Sequence, residues 1–375
     1  MTAVAPSPSR VATIDGLRGA AAMLVVLYHL EEAISRTADA WLWLPFKAVA
    51  QLGFLGVDIF FVISGFVIAL SVSRAAPTWS YLGRFVLRRS IRLDPPYWTA
   101  IALELLLLAV ALRIAPEIPV TWPSVPQLVA HVFYAQELLG FGSVVAIFWT
   151  LCYEIQFYVF YVALTVVRPR LPVALQGATA AMIGAALLFA LSLWTRYWPP
   201  EWLPQGLAIN RWFQFYLGAL TWRAVTDRRQ VTTLAAAWVA VVACVLGSGA
   251  PAAQLLAVGV SALVLASTRL PALARSLEVR PLLWLGSISY SLYLYHSSVG
   301  WRFVSLMQRL MPGPWQPFRA LAVYSAGIAL CVVFAAIMSR LVERPFLRLA
   351  QRVRLPLRDT RTSPASLVPP AVALT

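Results

Sequence analysis

Charged residues are scarce in this sequence. Only 12% of its 375 residues are charged and 60% are hydrophobic, whereas soluble domains carry about 25% charged residues. This composition excludes an ordinary soluble protein. The apolar residues form long continuous runs, not the short alternating segments of a membrane β-barrel. The sequence therefore predicts an all-α integral membrane protein built as one helical bundle.

Cysteine is also rare. Cys152, Cys244 and Cys331 lie in separate apolar stretches without metal or redox spacing. We expect them to be buried hydrophobic side chains, and we expect no metal site. Residues 1–12 lack the pattern of a cleavable signal peptide, so insertion is expected to use the first apolar helix, uncleaved.

Acidic residues are half as frequent as basic ones. The chain has 15 Asp and Glu against 30 Lys and Arg, a formal net charge of +15. In a soluble protein such an excess would suggest a nucleic-acid partner. Here the basic residues cluster at the ends of apolar runs, which is the pattern of membrane topology. We therefore expect a lipid bilayer as the partner, in a multi-pass protein of the cell membrane, and no nucleic acid.

Ten apolar runs are long enough to be predicted as transmembrane helices. They are 14–34, 53–73, 97–115, 146–167, 173–195, 207–225, 232–249, 252–268, 283–305 and 318–341. The distribution of basic residues between them places both termini in the cytoplasm. A shorter stretch, residues 126–139, is expected to lie at the interface or to re-enter the membrane. Residues 1–345 are then one transmembrane domain, and residues 346–375 a basic, then Pro/Ser/Ala-rich tail that is disordered at its end.

The first predicted helix carries two ionisable residues within an apolar run. Arg18 and His29 are eleven residues apart, so they share one stripe of the helix and lie about 16 Å apart along it. Ionisable groups inside a span usually face a protein interior or a water-filled cavity, which favours a functional site. In the alternative interpretation, Arg18 reaches toward a lipid headgroup and His29 belongs to a polar seam.

Three further ionisable residues are predicted at the depth of His29. Helix rise and bilayer thickness put His29, Asp58, Glu154 and His296 all at about 20 Å from the inner edge. A neutral His29 can take a proton from a hydroxyl, and a carboxylate can hold its tautomer. Asp58 is the first choice for this carboxylate and Glu32, three residues from His29, the competing one. A purely structural polar seam is the alternative.

A basic cluster precedes the third predicted helix. Arg84, Arg88, Arg89 and Arg92 lie just before residues 94–98. Because guanidinium groups bind phosphates bidentately, this cluster suits a polyanionic cofactor at the cytoplasmic face, with Arg18 continuing the path inward. The alternatives are ordinary positive-inside charge and contact with anionic lipid.

Six stretches of this sequence, in this order, resemble the acyltransferase 3 family of membrane acyltransferases. They are Ile14-Asp-Gly-Leu-Arg-Gly19 leading to His29; Gly56-Val-Asp-Ile-Phe-Phe-Val-Ile-Ser-Gly-Phe66; Arg88-Arg-Ser-Ile-Arg-Leu-Asp-Pro-Pro-Tyr-Trp98; Phe148-Trp-Thr-Leu-Cys-Tyr-Glu-Ile-Gln-Phe-Tyr158; Gly286-Ser-Ile-Ser-Tyr-Ser-Leu-Tyr-Leu-Tyr-His296; and Glu343-Arg-Pro-Phe346. The resemblance implies acyl-CoA as donor and essential roles for Arg18 and His29. Asp58, Arg88, Arg92 and Glu154 match other polar motif positions of the family. Cys152-Tyr153 depart from the family pattern, which more often has Ser or Thr and then Val.

The resulting hypothesis is a membrane O-acyltransferase. It would move an acyl group, most simply acetyl, from cytoplasmic acyl-CoA to a hydroxyl of a carbohydrate, a lipid-linked sugar or a glycosylated small molecule. The candidate residues fall into three groups: catalytic His29, Asp58 and Glu154; donor-binding Arg18, Arg88, Arg89 and Arg92; and further candidates Glu32, Tyr97, Tyr290 and His296. His29 would act as a base or carry the acyl group itself.

A transporter or flippase for a glycan or lipid-linked sugar is the alternative function. In such a protein the buried histidine and carboxylates would relay protons. Transporters of this kind are commonly built from inverted repeats, and we find no convincing internal repeat in the sequence.

Overall fold

The structure is a computed structural model, and it describes residues 8–36, 44–114, 121–204 and 206–357. Within these ranges the chain is helical and forms no β-strand, so the predicted all-α class is confirmed. The α-helices are α1 (Pro8–Ser35), α2 (Leu44–Gln51), α3 (Gly56–Val72), α4 (Trp79–Ile114), α5 (Val125–Val132), α6 (Trp149–Val167), α7 (Val173–Gln176), α8 (Ala178–Tyr197), α9 (Trp212–Thr226), α10 (Gln230–Ser248), α11 (Leu256–Ser267), α12 (Pro271–Leu277), α13 (Arg280–Ser287), α14 (Ser289–Leu310), α15 (Pro317–Met338) and α16 (Arg344–Gln351). Short 3-10 turns are Leu52–Leu55, Ala146–Phe148, Arg168–Arg170, Ala208–Arg211 and Ala252–Leu255, and Ser339–Glu343 is a π-helical turn.

Each of the ten predicted spans corresponds to a helix, but not all of these helices are equally suited to lipid. In the described residues, six helical stretches are long and apolar enough to cross a membrane. A seventh is added if α11 and α12, which are bent by 118°, count as one broken span. α1, α9 and α14 are too polar or too short for the same criterion. A multi-pass membrane protein is thus confirmed, while ten spans and cytoplasmic termini stay predictions.

The more polar helices lie in the interior of the bundle. α1 packs against α3, α13, α14 and α15, and α9 packs against α3, α10 and α11. A helix surrounded by other helices needs less apolar surface than one facing lipid, because protein groups satisfy its polar side chains. The composition of α1 and α14 therefore reflects their central position.

Glycines allow α3 and α9 to approach each other closely. A β-carbon added to Gly65 would collide with the carbonyl oxygen of Phe215, and one added to Gly218 would collide with the carbonyl oxygen of Val62. Each glycine thus faces the backbone of the opposite helix. Small residues at helix interfaces of membrane proteins serve this purpose. The Ser-Gly-Phe part of the second motif therefore has a packing role beside any role of Ser64.

α4 is the longest helix and carries the predicted basic cluster. Its 36 residues span about 54 Å, which exceeds a hydrocarbon core of about 30 Å. Pro95 and Pro96 lie inside it and remove two backbone donors. The Thr99 hydroxyl donates to the carbonyl oxygens of both prolines, at 3.0 and 2.8 Å. Because α4 is longer than the hydrocarbon core, the end that carries the arginines can extend out of the core toward one membrane surface.

The chain after α15 folds back along α4. α16 contacts α4, and Ala76 N–H donates to the carbonyl of Pro356 at 3.2 Å. Arg84 donates to the carbonyl of Arg354 at 3.2 Å. The predicted boundary at residue 345 thus falls within a helical stretch, and the end of the tail, 358–375, lies outside the described residues.

Candidate active site

A cavity of about 90 Å³ lies among α1, α3, α4, α6 and α14. We call it the arginine cavity, because Arg18 of α1 and Arg89 and Arg92 of α4 line it. All three are half-buried. Arg89 and Arg92 are three residues apart, so one face of α4 presents both to the cavity.

Glu154 supplies a carboxylate to this cavity and is held by hydroxyl groups. The Ser64 hydroxyl donates to Glu154 Oε1 at 2.6 Å, and the Tyr158 hydroxyl donates to Ser64 Oγ at 3.2 Å. The Arg89 guanidinium lies 4.5 Å from the centre of the Tyr158 ring, a cation–π contact. Residues from α3, α4 and α6 thus form one connected polar network.

The arginine cavity carries an excess of positive charge. In the described part of the chain, none of its three guanidinium groups lies within 4.0 Å of a carboxylate oxygen. Glu154 is the single carboxylate among the described lining residues. A buried charge without a partner is costly, whereas an anion placed among these groups would be bound strongly. The cavity therefore has the electrostatics of an anion-binding site.

A second cluster, the histidine pair, consists of His29 on α1 and His296 on α14. Their ring centroids are 5.3 Å apart. The His29 side chain is 21% exposed, and its Nδ1 lies 3.5 Å from Glu32 Oε2, one turn farther along α1. His296 is 1% exposed. The carboxylate beside Nδ1 favours a proton on that nitrogen and leaves Nε2 of His29 as the basic atom.

The hydrogen bonds of His296 define its tautomer. Its Nδ1 lies 3.0 Å from the Leu292 carbonyl and 2.9 Å from the Tyr293 carbonyl. Because carbonyl oxygens only accept, Nδ1 carries the proton and Nε2 carries a lone pair. Within the residues the structure describes, that buried Nε2 has no hydrogen-bond partner.

Two aromatic side chains separate the arginine cavity from the histidine pair. Phe60 and Tyr293 both line the cavity, and their rings meet edge to face at 5.7 Å. On its other side, the Tyr293 ring lies 5.9 Å from that of His296. The Tyr293 hydroxyl bonds Thr150 Oγ1 at 2.8 Å and the Ile147 carbonyl at 3.1 Å, which holds the ring in place. The two clusters are therefore neighbours with a narrow apolar partition between them.

Comparison with known proteins assigns this chain to a family. The family model for the acyltransferase domain of the acyltransferase 3 family matches residues 11–340, which include both clusters. The chain is an acyltransferase of this family. The predicted family and the predicted enzyme class are thereby confirmed.

Curated relatives of this acyltransferase come from several bacteria. Peptidoglycan O-acetyltransferase OatA of Listeria monocytogenes is 26% identical over 89% of the chain, and the chain spans 55% of the length of that relative. BcsY of Komagataeibacter xylinus, assigned as a membrane-bound transacylase, is 26% identical, with 92% of this chain and 85% of BcsY covered. Acyltransferase MdmB of Streptomyces mycarofaciens is 25% identical, with 93% and 95% covered. No solved structure matches the acyltransferase significantly.

The structure decides between the two carboxylates predicted to contact His29. Asp58 is buried, and its partners are Arg211 Nη1 at 3.2 Å and Gln214 Nε2 at 2.7 Å. In the described residues it does not pair with His29. The prediction that Asp58 contacts His29 was therefore wrong, because Arg211, in the turn before α9, pairs with Asp58 instead. Glu32, the competing candidate, is the carboxylate beside His29.

The remaining predicted site residues divide between the clusters and the surrounding scaffold. Glu154 lies in the arginine cavity and His296 beside His29. Tyr290 lines the cavity and donates to the Leu93 carbonyl at 2.8 Å. Arg88 is half-buried but is not part of the cavity lining.

Tyr97 belongs to a separate buried network under α5. His131 Nδ1 lies 2.6 Å from the Tyr97 hydroxyl, and Val144 N–H donates to His131 Nε2 at 3.1 Å. Gln136 also donates to the Tyr97 hydroxyl, at 3.2 Å. Burial lowers the pKa of His131 to about 4, and a second ring proton would face the Val144 N–H. This network anchors residues 131–144 to α4, so Tyr97 has a structural role in this geometry.

Several polar residues of the bundle were missed by sequence reasoning. Ser64 and Tyr158 lie within the quoted motifs, but hydroxyl groups in apolar runs give little signal. Glu104 is a carboxylate inside a leucine-rich run, a signal that could have revealed it; it bonds Ser298 at 2.6 Å and forms a close ion pair with Arg302. Glu343, in the π-helical turn, accepts from Ser291 Oγ at 2.6 Å.

Proposed function

We propose that this acyltransferase transfers an acyl group, most simply acetyl, from cytoplasmic acyl-CoA to a hydroxyl of a carbohydrate or glycosylated acceptor. One observation carries the proposal. Three guanidinium groups, none of them within 4.0 Å of a carboxylate oxygen in the described residues, line a cavity that is separated by two aromatic rings from a histidine pair. An anionic donor bound among the arginines would then lie beside a group that can take up a proton.

The arginine cavity suits the donor. Coenzyme A carries phosphate groups on one end and a thioester on the end of a long, narrow arm. Arg89 and Arg92, with Arg18 deeper along α1, would bind phosphate oxygens through paired N–H groups. Arg88 lies on the same end of α4 but outside the cavity lining, where it would contact the nucleotide portion.

The histidine pair suits the chemical step. In direct transfer, the acceptor hydroxyl oxygen attacks the thioester carbonyl carbon while His29 Nε2 takes the hydroxyl proton. The carbon–sulfur bond breaks, and His29 returns the proton to the leaving thiolate. In the alternative route, His29 Nε2 attacks the thioester carbonyl carbon, the carbon–sulfur bond breaks and the CoA thiolate is released. The acceptor hydroxyl oxygen then attacks the acyl group on His29, the carbon–nitrogen bond breaks, and the hydroxyl proton passes to the CoA thiolate. Glu32 would hold the Nδ1 proton of His29 in both routes.

The acceptor would enter beside Glu32. The Arg36 guanidinium lies 4.4 Å over the Trp301 ring, and Arg36 Nη2 lies 3.8 Å from Glu32 Oε1. Arg36 and Glu32 offer charged hydrogen-bonding groups to the hydroxyls of a sugar, with the Trp301 ring beside them. One relative is a peptidoglycan O-acetyltransferase, which supports a carbohydrate acceptor. With the topology predicted from basic residues, this end faces away from the cytoplasm and the transfer crosses the cell membrane.

The test is acyl transfer by purified protein in lipid nanodiscs. Radiolabelled acetyl-CoA would be supplied with peptidoglycan fragments, lipid-linked saccharides or a glycosylated small molecule, and each acceptor would be examined for label. We expect labelled acceptor with the wild type and with His131→Gln, a histidine control outside the site, and none with His29→Ala. Equal labelling by His29→Ala would contradict the proposed role of His29. If the wild type labels no acceptor with acetyl-CoA or with longer acyl-CoAs, the proposal that acyl-CoA is the donor is contradicted.

A second readout separates the two chemical routes. The wild type would be incubated with labelled donor but without acceptor and then quenched. Label that remains on the protein and is absent from His29→Ala would support the acyl-histidine route. Unlabelled protein that nevertheless transfers when acceptor is present would support direct attack.

A further inference from the structure

His296 has one ring nitrogen that the fold does not use. Its Nδ1 is bonded to the carbonyls of Leu292 and Tyr293. Its Nε2 is buried and has no partner among the described residues. A buried acceptor without a hydrogen bond costs free energy, and such groups in native structures call for an explanation. The nearest ring with a mobile proton is that of His29, with its centroid 5.3 Å away.

The bonding of His29 explains when that unused nitrogen would find a partner. While His29 is neutral, its one ring proton is directed to Glu32, so Nε2 of His29 also carries a lone pair. Two lone pairs cannot bond each other. After His29 has taken a proton it has two N–H groups, one for Glu32 and one for a second acceptor.

We propose that His296 is a positioning residue that accepts a hydrogen bond from protonated His29 during acyl transfer. This inference rests on the proposed function, in which His29 removes the proton of the acceptor hydroxyl. The hydroxyl O–H bond breaks, the proton binds His29 Nε2, and that N–H is shared with the lone pair of His296 Nε2. The proton then passes from His29 to the leaving thiolate. Glu32 and His296 thus stabilise the imidazolium from its two ring nitrogens, and His296 itself stays neutral throughout.

A purely structural role would act through the other nitrogen. In that case His296 would matter because its Nδ1–H joins two carbonyls of α14. Two substitutions distinguish the nitrogens. His296→Asn places an amide donor near the Nδ1 position and leaves nothing at Nε2, whereas His296→Gln can place an amide oxygen near the Nε2 position.

The experiment compares kcat and KM for acetyl transfer by the wild type, His296→Asn and His296→Gln in nanodiscs, with melting temperatures for each. We expect His296→Asn to lower kcat by about 10-fold or more, with KM for donor and acceptor within twofold. His296→Gln should recover a substantial part of kcat. Transfer by His296→Asn at the wild-type rate would overturn the proposal, as would a His296→Gln variant no faster than His296→Asn or a change confined to KM.

A measurement on the unmutated protein guards against variants that fail to fold. The chain has three histidines, so ¹⁵N-histidine labelling gives few ring signals, and His131→Gln identifies one set. Lowering the pH until His29 is protonated should move the His296 Nε2 signal toward that of a hydrogen-bonded acceptor. A signal that does not respond would overturn the proposal. Failure of the proposed function would instead appear as a wild type that transfers no acyl group.

Discussion

The arginine cavity and the histidine pair lie side by side but differ in their ionisable groups. The cavity gathers three cations around one carboxylate. The histidine pair combines two imidazoles with Glu32, and one ring nitrogen has no described partner. Under the proposed function, the first binds the anionic donor and the second takes up and releases a proton. Donor binding and chemistry would then be separate tasks of neighbouring sites.

α1 connects the two clusters, since Arg18 and His29 lie on one stripe of it. The partition between them comes from other helices, with Phe60 on α3 and Tyr293 on α14. The buried apolar side chains of the described residues form three groups, and Phe60 packs against all three. An acyl chain is apolar and narrow, so it can pass such a partition more readily than water or phosphate. The partition would therefore let the thioester reach the histidines while the phosphates remain among the arginines.

The largest expected effect separates binding from chemistry at His29. Loss of a general base typically costs 10²- to 10⁴-fold in rate, so we expect His29→Ala to lower kcat at least about 100-fold. The affinity for CoA, measured by isothermal titration calorimetry, should stay within about threefold because His29 does not line the arginine cavity. Equal losses of binding and rate would show that the two clusters act as one site.

Substitutions along α4 should give the reverse pattern. We expect Arg89→Ala to raise KM for acyl-CoA by about 10- to 100-fold, since charged hydrogen bonds are worth about 1.5–3 kcal/mol. Arg88→Ala should have a smaller effect. Arg113→Ala, at the opposite end of the same helix, is the matched control and should stay within twofold. Steady-state kinetics at varied donor concentration distinguish these variants. Equal KM values for Arg89→Ala and Arg113→Ala would contradict donor binding in the cavity.

Substitutions of the two candidate carboxylates, Glu32 and Asp58, should differ in effect. Glu32→Gln should lower kcat by about 10-fold with little change in stability, because Glu32 is half-exposed and contacts His29. Asp58→Asn should instead lower the melting temperature, because it weakens a buried ion pair with Arg211. The opposite pattern, a stable but inactive Asp58→Asn, would restore Asp58 as a catalytic candidate.

The smallest effect comes from His131, which lies in neither cluster. Its pKa is lowered by folding from 6.5 to about 4, so the unfolded chain binds a proton in that interval and the folded chain does not. Stability is retained above pH 6.5 and is lost as the pH falls toward 4, by about 2 kcal/mol at pH 5. Thermal unfolding at pH 7 and 5 should show a smaller decrease for His131→Gln. An equal decrease in stability for the wild type and His131→Gln would mean that groups other than His131 cause the acid sensitivity.

Much of the site could be predicted from ionisable residues in apolar runs, because such residues are rare and costly in membranes. Arg18, His29, Glu154 and His296 were found in this way. Contacts between helices were less predictable, as Asp58 shows. Its depth resembled that of His29, but depth along a helix does not determine which neighbour the side chain faces. Arg211, in a short turn between helices, had no pattern that linked it to Asp58.

The sequence by itself determined that this protein is helical and enters a membrane, because long apolar runs with few charges have no other stable environment. It also determined the stripe shared by Arg18 and His29, which follows from the period of a single helix. The tertiary structure decided which helices form the interior and which carboxylate lies beside His29. It also decided that Phe60 and Tyr293 separate cations from histidines. Those features depend on how helices pack against one another, as where Gly65 and Gly218 let α3 and α9 approach closely. Contacts between two helices leave no periodic pattern in the sequence of either one.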